Sequence, residues 1–513
     1  MNRLRLDGSL MWLWLVVAWL LAGLATPAGA DDIAATARGV VRVVTIAVVD
    51  GQVAGFGHGS GVAISPNRVV TNAHVVELAQ RYPDDVVIGV VPSEGAKSYQ
   101  GHVVAYDARA DLALIEFTGG GLPPAALYTG PSSEGDEVVA LGYPGNVDLA
   151  TARSAADYIT PVAPVRSQGV FSGRRSLSGI DVLLHTAPIA RGNSGGPLLD
   201  RCGRVIGINS ALTHGEEGDS SFGFAIADSE LAAFLRAANQ PYTSVGTPCT
   251  SIEDRLRADS EADSRAIADA AQSRRQASIQ AQVAREEALA KARSEAERGR
   301  ENVMALAALL LVGGALALGG AGLLWSRGMK TPAIWCAGGG AAAIVGSVVV
   351  FLFRPSPDVS LPASAPLAVT PTVGDAALGR LTCALQPERS RVVVSSTASV
   401  PLDWGKGGCV NGRTQYLPAD GRWERLLVPD HEQTVSVLGF DPPTRTYAVT
   451  RYFLPADAMA AMRKLRGDAP KACTADPATQ ASLEQRAAAI RAQLPPVPNE
   501  KLVYSCTAYP AGE

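Results

Sequence analysis

The chain of 513 residues carries 45 basic and 49 acidic side chains, a formal net charge of −4, and is 47% hydrophobic. That length exceeds one ordinary domain and suggests about three. The near-neutral balance without a long basic run argues against nucleic acid as a partner, and the high apolar fraction points to membrane segments.

Residues 1–30 begin with Arg3 and Arg5, continue through the apolar run Leu10 to Leu24 and end in Ala28-Gly29-Ala30. A basic start, a short apolar core and a small-residue site predict a secretory signal peptide cleaved after Ala30. An uncleaved anchor has the same topological consequence, so the segment that follows is expected to be exported.

Residues 31–248 read as one all-β domain. Short β-branched runs recur between Gly, Pro and Asn, among them Val40–Val49, Gly61–Ile64, Val86–Val91, Leu112–Phe117, Glu137–Leu141, Val182–His185 and Arg204–Ser210. Strands of this length and spacing predict an antiparallel barrel or sandwich. Three positions in it carry chemistry. His74 follows a strand in Thr71-Asn-Ala-His-Val-Val, Asp111 precedes one in Asp111-Leu-Ala-Leu-Ile, and Ser194 lies in the turn Arg191-Gly-Asn-Ser-Gly-Gly-Pro-Leu-Leu. A serine hydroxyl needs an imidazole to take its proton, and the imidazole needs a carboxylate to hold its tautomer. Glycines beside the serine allow a sharp turn that aims backbone N–H groups at one point. Asp107 competes as the acid but lacks the apolar strand directly after it.

The six ordered segments Gly59-Ser-Gly-Val-Ala-Ile, Thr71-Asn-Ala-His-Val-Val, Asp111-Leu-Ala-Leu-Ile, Gly192-Asn-Ser-Gly-Gly-Pro-Leu, Val205-Ile-Gly-Ile-Asn and Gly223-Phe-Ala-Ile resemble the trypsin-like, chymotrypsin-fold serine proteases. The resemblance is strongest to the high-temperature-requirement (Deg-type) branch, and no PDZ domain is recognisable after it. It implies a double β-barrel with His74 as general base, Asp111 as orienting acid and Ser194 as nucleophile. It assigns the oxyanion hole to the N–H groups of Gly192 and Ser194. Asn193 and Pro188 stand where digestive relatives carry acidic residues, so neither zymogen activation by an N-terminal cut nor cleavage after Lys or Arg is expected. Ile189, Ala190, Phe224, Ala225 and Ile226 are the expected walls of a tight apolar specificity pocket. His58, His102 and His185 read as structural, and His214 as an exposed loop residue.

From 250 to 302 the composition turns to Ala, Arg, Glu, Asp and Gln, without Pro, which predicts a long helix. Its apolar residues hold no strict heptad, so a solvated spacer or loose coiled coil fits better than a tight zipper. Apolar segments at 303–325 and 333–353 are each long enough to cross a bilayer, and their glycines suit close helix packing. They predict a transmembrane hairpin with its short turn on the cytoplasmic side. Residues 354–378 are a Pro- and Ala-rich linker, and 379–513 are expected to form a small α+β domain.

The seven cysteines contain no C-x-x-C pair and no H-E-x-x-H occurs, so no metal or other cofactor is expected. In an oxidising compartment disulfides are favoured, with Cys202–Cys249, Cys383–Cys409 and Cys473–Cys506 the expected pairs and Cys336 free. The whole reads as a multi-domain, membrane-anchored serine endopeptidase outside the cytoplasmic membrane, acting on proteins or peptides. Its homo-oligomeric state is open. The competing reading is a catalytically weak protease-fold scaffold that binds peptides or senses signals through its C-terminal domain.

Overall fold

The computed structural model describes residues 31–212, 221–353, 378–419, 421–468, 472–474 and 476–509. The expected signal peptide, the loop bearing His214 and nearly all of the linker lie outside these residues. The first helix, α1 (Asp32–Ala37), leads into β1 (Val40–Val49), β2 (Gln52–Ser65) and β3 (Arg68–Thr71). Helix α2 (Ala73–Arg81) separates them from β4 (Val86–Pro92), β5 (Tyr99–Asp107) and β6 (Leu112–Phe117). The six strands close as β1-β2-β3-β6-β5-β4.

Strand β6 shows why the sequence closes this way. Its residues are apolar on both faces, and the side-chain period of two sends them to different cores. Ala113, Ile115 and Phe117 fill the barrel with Val41, Val43, Val69, Ile88 and Val90. Leu112 and Leu114 join Val40, Val62 and Val70 in a second cluster, shared with Leu127, Val139, Leu141, Tyr143, Val182 and Leu199 from the next barrel. That second cluster is the seam between the barrels.

The second barrel follows with β7 (Leu127–Tyr128), β8 (Glu137–Gly142), helix α3 (Gly145–Thr151), β9 (Val165–Leu177), β10 (Ile180–His185), β11 (Pro197–Leu199), β12 (Val205–Leu212) and β13 (Gly223–Ala227). Helix α4 (Asp228–Ala237) packs on the seam, and β14 (Ser244–Val245) ends the domain. The order β11-β8-β9-β10-β13-β12 is closed by the pairing of β11 with β12, while β7 and β14 extend from β12. Two closed six-stranded barrels match the expected chymotrypsin-like architecture.

Helix α5 runs unbroken from Ile252 to Ser326, so the expected spacer and first span are one element; α6 (Lys330–Leu352) follows. Both helices are long and apolar enough to cross a membrane. They meet where glycines remove side chains: a Cβ on Gly340 would lie 2.8 Å from the Gly314 carbonyl oxygen. The Ser347 hydroxyl donates to the Ala307 carbonyl at 2.7 Å beside that crossing.

The C-terminal part holds β15 (Gly379–Leu385), β16 (Val400–Trp404), β17 (Cys409–Val410), β18 (Thr414–Gln415), β19 (Leu417–Ala419), β20 (Arg422–Leu427), β21 (Thr434–Asp441), β22 (Thr446–Phe453), helices α7 (Ala456–Arg466) and α8 (Pro477–Arg491), and β23 (Glu500–Ala508). One nine-stranded sheet runs β18-β17-β16-β15-β23-β22-β21-β20-β19. Its end strands β18 and β19 are separated in sequence by Tyr416 alone, so the sheet must curl back on itself. Trp404, Tyr416, Trp423 and Phe440 fill the curl, with Trp404 and Phe440 ring centroids 4.4 Å apart.

Two expected disulfide pairs are corrected here. Cys383 is the direct cross-strand partner of Cys506, and these two are bonded; Cys409 bonds Cys473. The expected Cys383–Cys409 and Cys473–Cys506 pairs followed proximity in sequence, whereas the last strand of the chain lies beside β15. Cys202–Cys249 is as expected. The β-branched run Arg391–Ser396 forms an isolated bridge from Arg391 to Lys501 but no strand, because the buried Glu500 carboxylate takes the N–H groups of residues 393–395. Val393 N and Val394 N donate at 2.6 Å and Ser395 N at 2.9 Å. The described residues of the double barrel up to Asp259 and of the C-terminal part fall in one compact unit, and those from Ser260 to Phe353 in the other.

A buried ion pair ties the first unit together. The Asp32 carboxylate accepts from the Arg391 guanidinium and, at 2.8 Å, from Asn499 Nδ2. Arg391 Nε also donates to the Thr250 carbonyl at 2.7 Å. Burial pushes the Asp32 carboxyl above its ordinary value despite the pull of Arg391, so desolvation outweighs the attraction. Arg391→Met should therefore cost about 3 kcal/mol or more in denaturant unfolding of the detergent-solubilised chain, because Asp32 is left charged and buried. Asp32→Leu combined with Arg391→Met should recover most of that loss; equal effects of the single and double variants would contradict the assignment.

Candidate active site

Each of the three expected chemical residues sits close to a strand end: His74 after β3, Asp111 before β6 and Ser194 before β11. Asn72 is the N-cap of α2 and places His74 in that helix's first turn. Asp111 precedes β6 with a left-handed φ of 53°, and the Asn72 side chain holds its carbonyl at 2.8 Å. Ser194 lies in the turn before β11, where its carbonyl accepts from Ser60 N of the first barrel at 2.8 Å.

The Asp111 carboxylate gathers the site. His74 Nδ1 lies 2.9 Å from Oδ1 and 3.0 Å from Oδ2, and His74 N donates to Oδ1 at 3.1 Å. Ser210 Oγ donates to Oδ2 at 2.6 Å. With a carboxylate facing it, Nδ1 carries the proton, which leaves Nε2 as the basic nitrogen. Burial alone would raise the Asp111 carboxyl, but the hydrogen bonds from His74 and Ser210 outweigh it and hold it below the usual carboxylate range. The same bond to Asp111 raises His74 above its ordinary value, against the opposing effect of burial. The His74 side chain is 48% exposed, so the imidazole is open to an incoming molecule.

Ser194 Oγ donates to the Ser210 carbonyl at 3.0 Å. A serine–imidazole contact requires that this bond be given up, a rearrangement common in unliganded sites. The segment before Ser194 is tightly held. Gly192 has φ +98°, and a Cβ there would come 2.4 Å from the Tyr143 carbonyl oxygen and 2.8 Å from His58 Nε2. A Cβ on Gly195 would approach the Ser60 carbonyl oxygen to 2.1 Å. Glycine is required at both positions.

The expected pocket walls divide. Ala225 is fully buried and belongs to the same cluster as Leu183, Leu198 and Ile206, while Ile226 belongs to the seam. They point to opposite faces of β13, so they cannot both line one pocket. Ile189, Ala190 and Phe224 are only partly buried; Phe224 packs on the seam side with Ile226, and Ile189 against the cluster of Ala225. His185 is fully buried on β10, and burial pushes it down to about 4, so it stays neutral at physiological pH.

Ser60, Ser210 and His58 were not singled out for the site by sequence. Ser210 and Asp111 are 99 residues apart, and the available signal was the polar Asn209-Ser210 pair ending an apolar strand.

Residues 59–208 match the family model of the trypsin-like peptidase domain. The chain is 32% identical to "Serine protease Rv3671c" of Mycobacterium tuberculosis over 219 residues, 42% of this chain and 49% of that protein. It is 30% identical to "Magnetosome formation protease MamE" of Magnetospirillum gryphiswaldense over 34% of this chain and 22% of that one. It is 34% identical to "Serine protease Do-like HtrB" of Bacillus subtilis over 32% of this chain and 33% of that one. The chain thus spans about half or less of the length of these relatives. Through the match of residues 59–208 to the trypsin-like peptidase domain and its identity to these relatives, the chain is similar to serine proteases, the Do-like HtrB among them.

Proposed function

We propose that this chain is a membrane-anchored, exported serine endopeptidase acting on proteins or peptides outside the cytoplasmic membrane. The observation that supports the reading best is the Asp111–His74 contact, in a chain whose residues 59–208 match the trypsin-like peptidase domain. In the proposed cycle His74 Nε2 takes the Ser194 proton as Oγ attacks the scissile carbonyl. The imidazolium is stabilised by Asp111, and the N–H groups of Gly192 and Ser194 receive the developing oxyanion. His74 then returns the proton to the leaving amine, and water repeats the sequence on the acyl-enzyme.

The topology reading has independent support. Both spans lie in the Ser260–Pro371 unit, between two segments that form one compact unit. Two segments folded together must share one side of the membrane, so the spans form a hairpin, and the signal peptide expected at 1–30 makes that side the exported one. Among alternatives, the scaffold reading draws on the Ser194 hydroxyl being turned to the Ser210 carbonyl.

Three outcomes are expected. Ser194→Ala should lower protein hydrolysis by about 10³-fold or more while leaving the melting midpoint unchanged; undiminished hydrolysis would overturn the assignment, and an inactive parent chain would favour the scaffold. His74 must be neutral to act, and its hydrogen bond to Asp111 raises its pKa, so activity should rise with pH through a midpoint above the ordinary imidazole value of about 6.5. A kcat/KM profile with its acid limb below that value would contradict this. The half-buried Ile189, Ala190 and Phe224 should select small aliphatic side chains before the scissile bond in a peptide library, and a preference for Lys or Arg would refute the pocket.

A further inference from the structure

The apolar run Val40–Val49 contains one charge, Arg42, and the structure buries it. Its guanidinium bonds Asp148 Oδ1 of α3 at 2.7 Å, with the two side chains only 4% and 9% exposed. It also lies 4.7 Å from the Tyr143 ring centroid. The other oxygen, Asp148 Oδ2, is 3.1 Å from His58 Nε2, which is also 3.3 Å from the Tyr143 carbonyl oxygen. The Tyr143 carbonyl accepts from this nitrogen, so Nε2 carries the proton, and the Asp148 carboxylate beside it, whose Oδ2 receives no hydrogen bond, favours the same tautomer electrostatically. Burial pushes His58 below its ordinary value despite Asp148, which keeps it a neutral donor.

This cluster adjoins the segment that positions Gly192. The Arg191 carbonyl accepts from Gly145 N at 2.7 Å, at the start of the helix that carries Asp148. The Gly192 carbonyl accepts from Ser60 Oγ at 2.7 Å, and Ser60 Oγ accepts from Tyr143 N at 2.9 Å. In a trans peptide the N–H points opposite to the carbonyl. Holding the Arg191 oxygen on Gly145 therefore fixes the Gly192 N–H on the other side. Were that peptide turned over, an oxygen would stand where the oxyanion reading needs a donor.

We propose that Arg42, Asp148 and His58 are positioning residues that keep the Gly192 N–H available for the oxyanion. Arg42 anchors α3 through Asp148, α3 presents Gly145 N to the Arg191 carbonyl, and His58 fills the space beside Gly192, bonded to the Tyr143 carbonyl and set against the Asp148 carboxylate. The inference rests on the proposed serine endopeptidase activity, since it concerns the donor set of that reaction.

The test is steady-state hydrolysis of the p-nitrophenyl ester of N-acetyl-alanine by the detergent-solubilised full chain, with thermal unfolding alongside. Asp148→Asn keeps the size and an acceptor for Arg42 but presents an amide to the protonated His58 nitrogen. It should lower kcat by about 10-fold or more with KM within roughly threefold and the melting midpoint nearly unchanged. His58→Phe fills the space without a donor and should do the same. His58→Gln restores an N–H near the Nε2 position and should keep kcat within about threefold of the parent. Retention of the parent kcat by His58→Phe, or equal loss in the Phe and Gln variants, would overturn the positioning role while the endopeptidase reading stands. Absence of any turnover by the parent chain would overturn that reading, and this inference with it.

Discussion

The seam between the two barrels is the constraint on which the site depends. His74 and Asp111 belong to one barrel and Ser194 to the other, so the proposed chemistry would tolerate no sliding between them. Strands with two apolar faces meet this need. Leu112, Leu114, Val40, Val62 and Val70 pack against Leu127, Val139, Leu141 and Leu199 in a cluster that excludes water. Polar contacts then set the register: Ser60 N to the Ser194 carbonyl, and Ser210 Oγ to Asp111. Glycine at 195 is a consequence, since the close approach to Ser60 leaves no room for a side chain.

The C-terminal part extends the same logic. It shares an apolar cluster with Ala126 and Val245 of the double barrel, and Arg391 reaches Asp32 at the start of α1. Asp259, buried early in α5, receives Arg389 and Lys501. A chain that leaves this unit through α5 must return to complete it after α6. The fold thereby couples assembly of the C-terminal sheet to the peptidase domain, and the two apolar helices become an excursion from one folded body.

Legibility in the sequence followed the range of the interactions. Strands such as Val86–Val91, Leu112–Phe117 and Thr446–Phe453 are marked by local β-branched runs, and the structure forms them with shifts of at most a residue. His74, Asp111 and Ser194 stand in short motifs, so they could be named without coordinates. Residues 379–427 were harder, because their strands are short and interrupted by glycine and proline. The Cys383–Cys506 bond joins positions 123 residues apart and depends on the last strand lying beside β15. Arg391–Ser396 has a strand's composition, but the buried Glu500 carboxylate captures the N–H groups of residues 393–395. Ala225 and Ile226 are adjacent in sequence and therefore opposed across β13. Arg42 did leave a local trace, a lone charge in a buried apolar run, although its partner Asp148 lies 106 residues away.

The central claim is that the Asp111–His74 pair activates Ser194 as a nucleophile. The most direct measurement is the intact mass of the protein after incubation with a fluorophosphonate, followed by location of the modified peptide. The account predicts one adduct, on Ser194, formed rapidly by the parent chain and slowed by about 10³-fold or more when His74 is replaced by Ala. An unmodified Ser194 in the folded parent chain, or labelling at the same rate without His74, would contradict it.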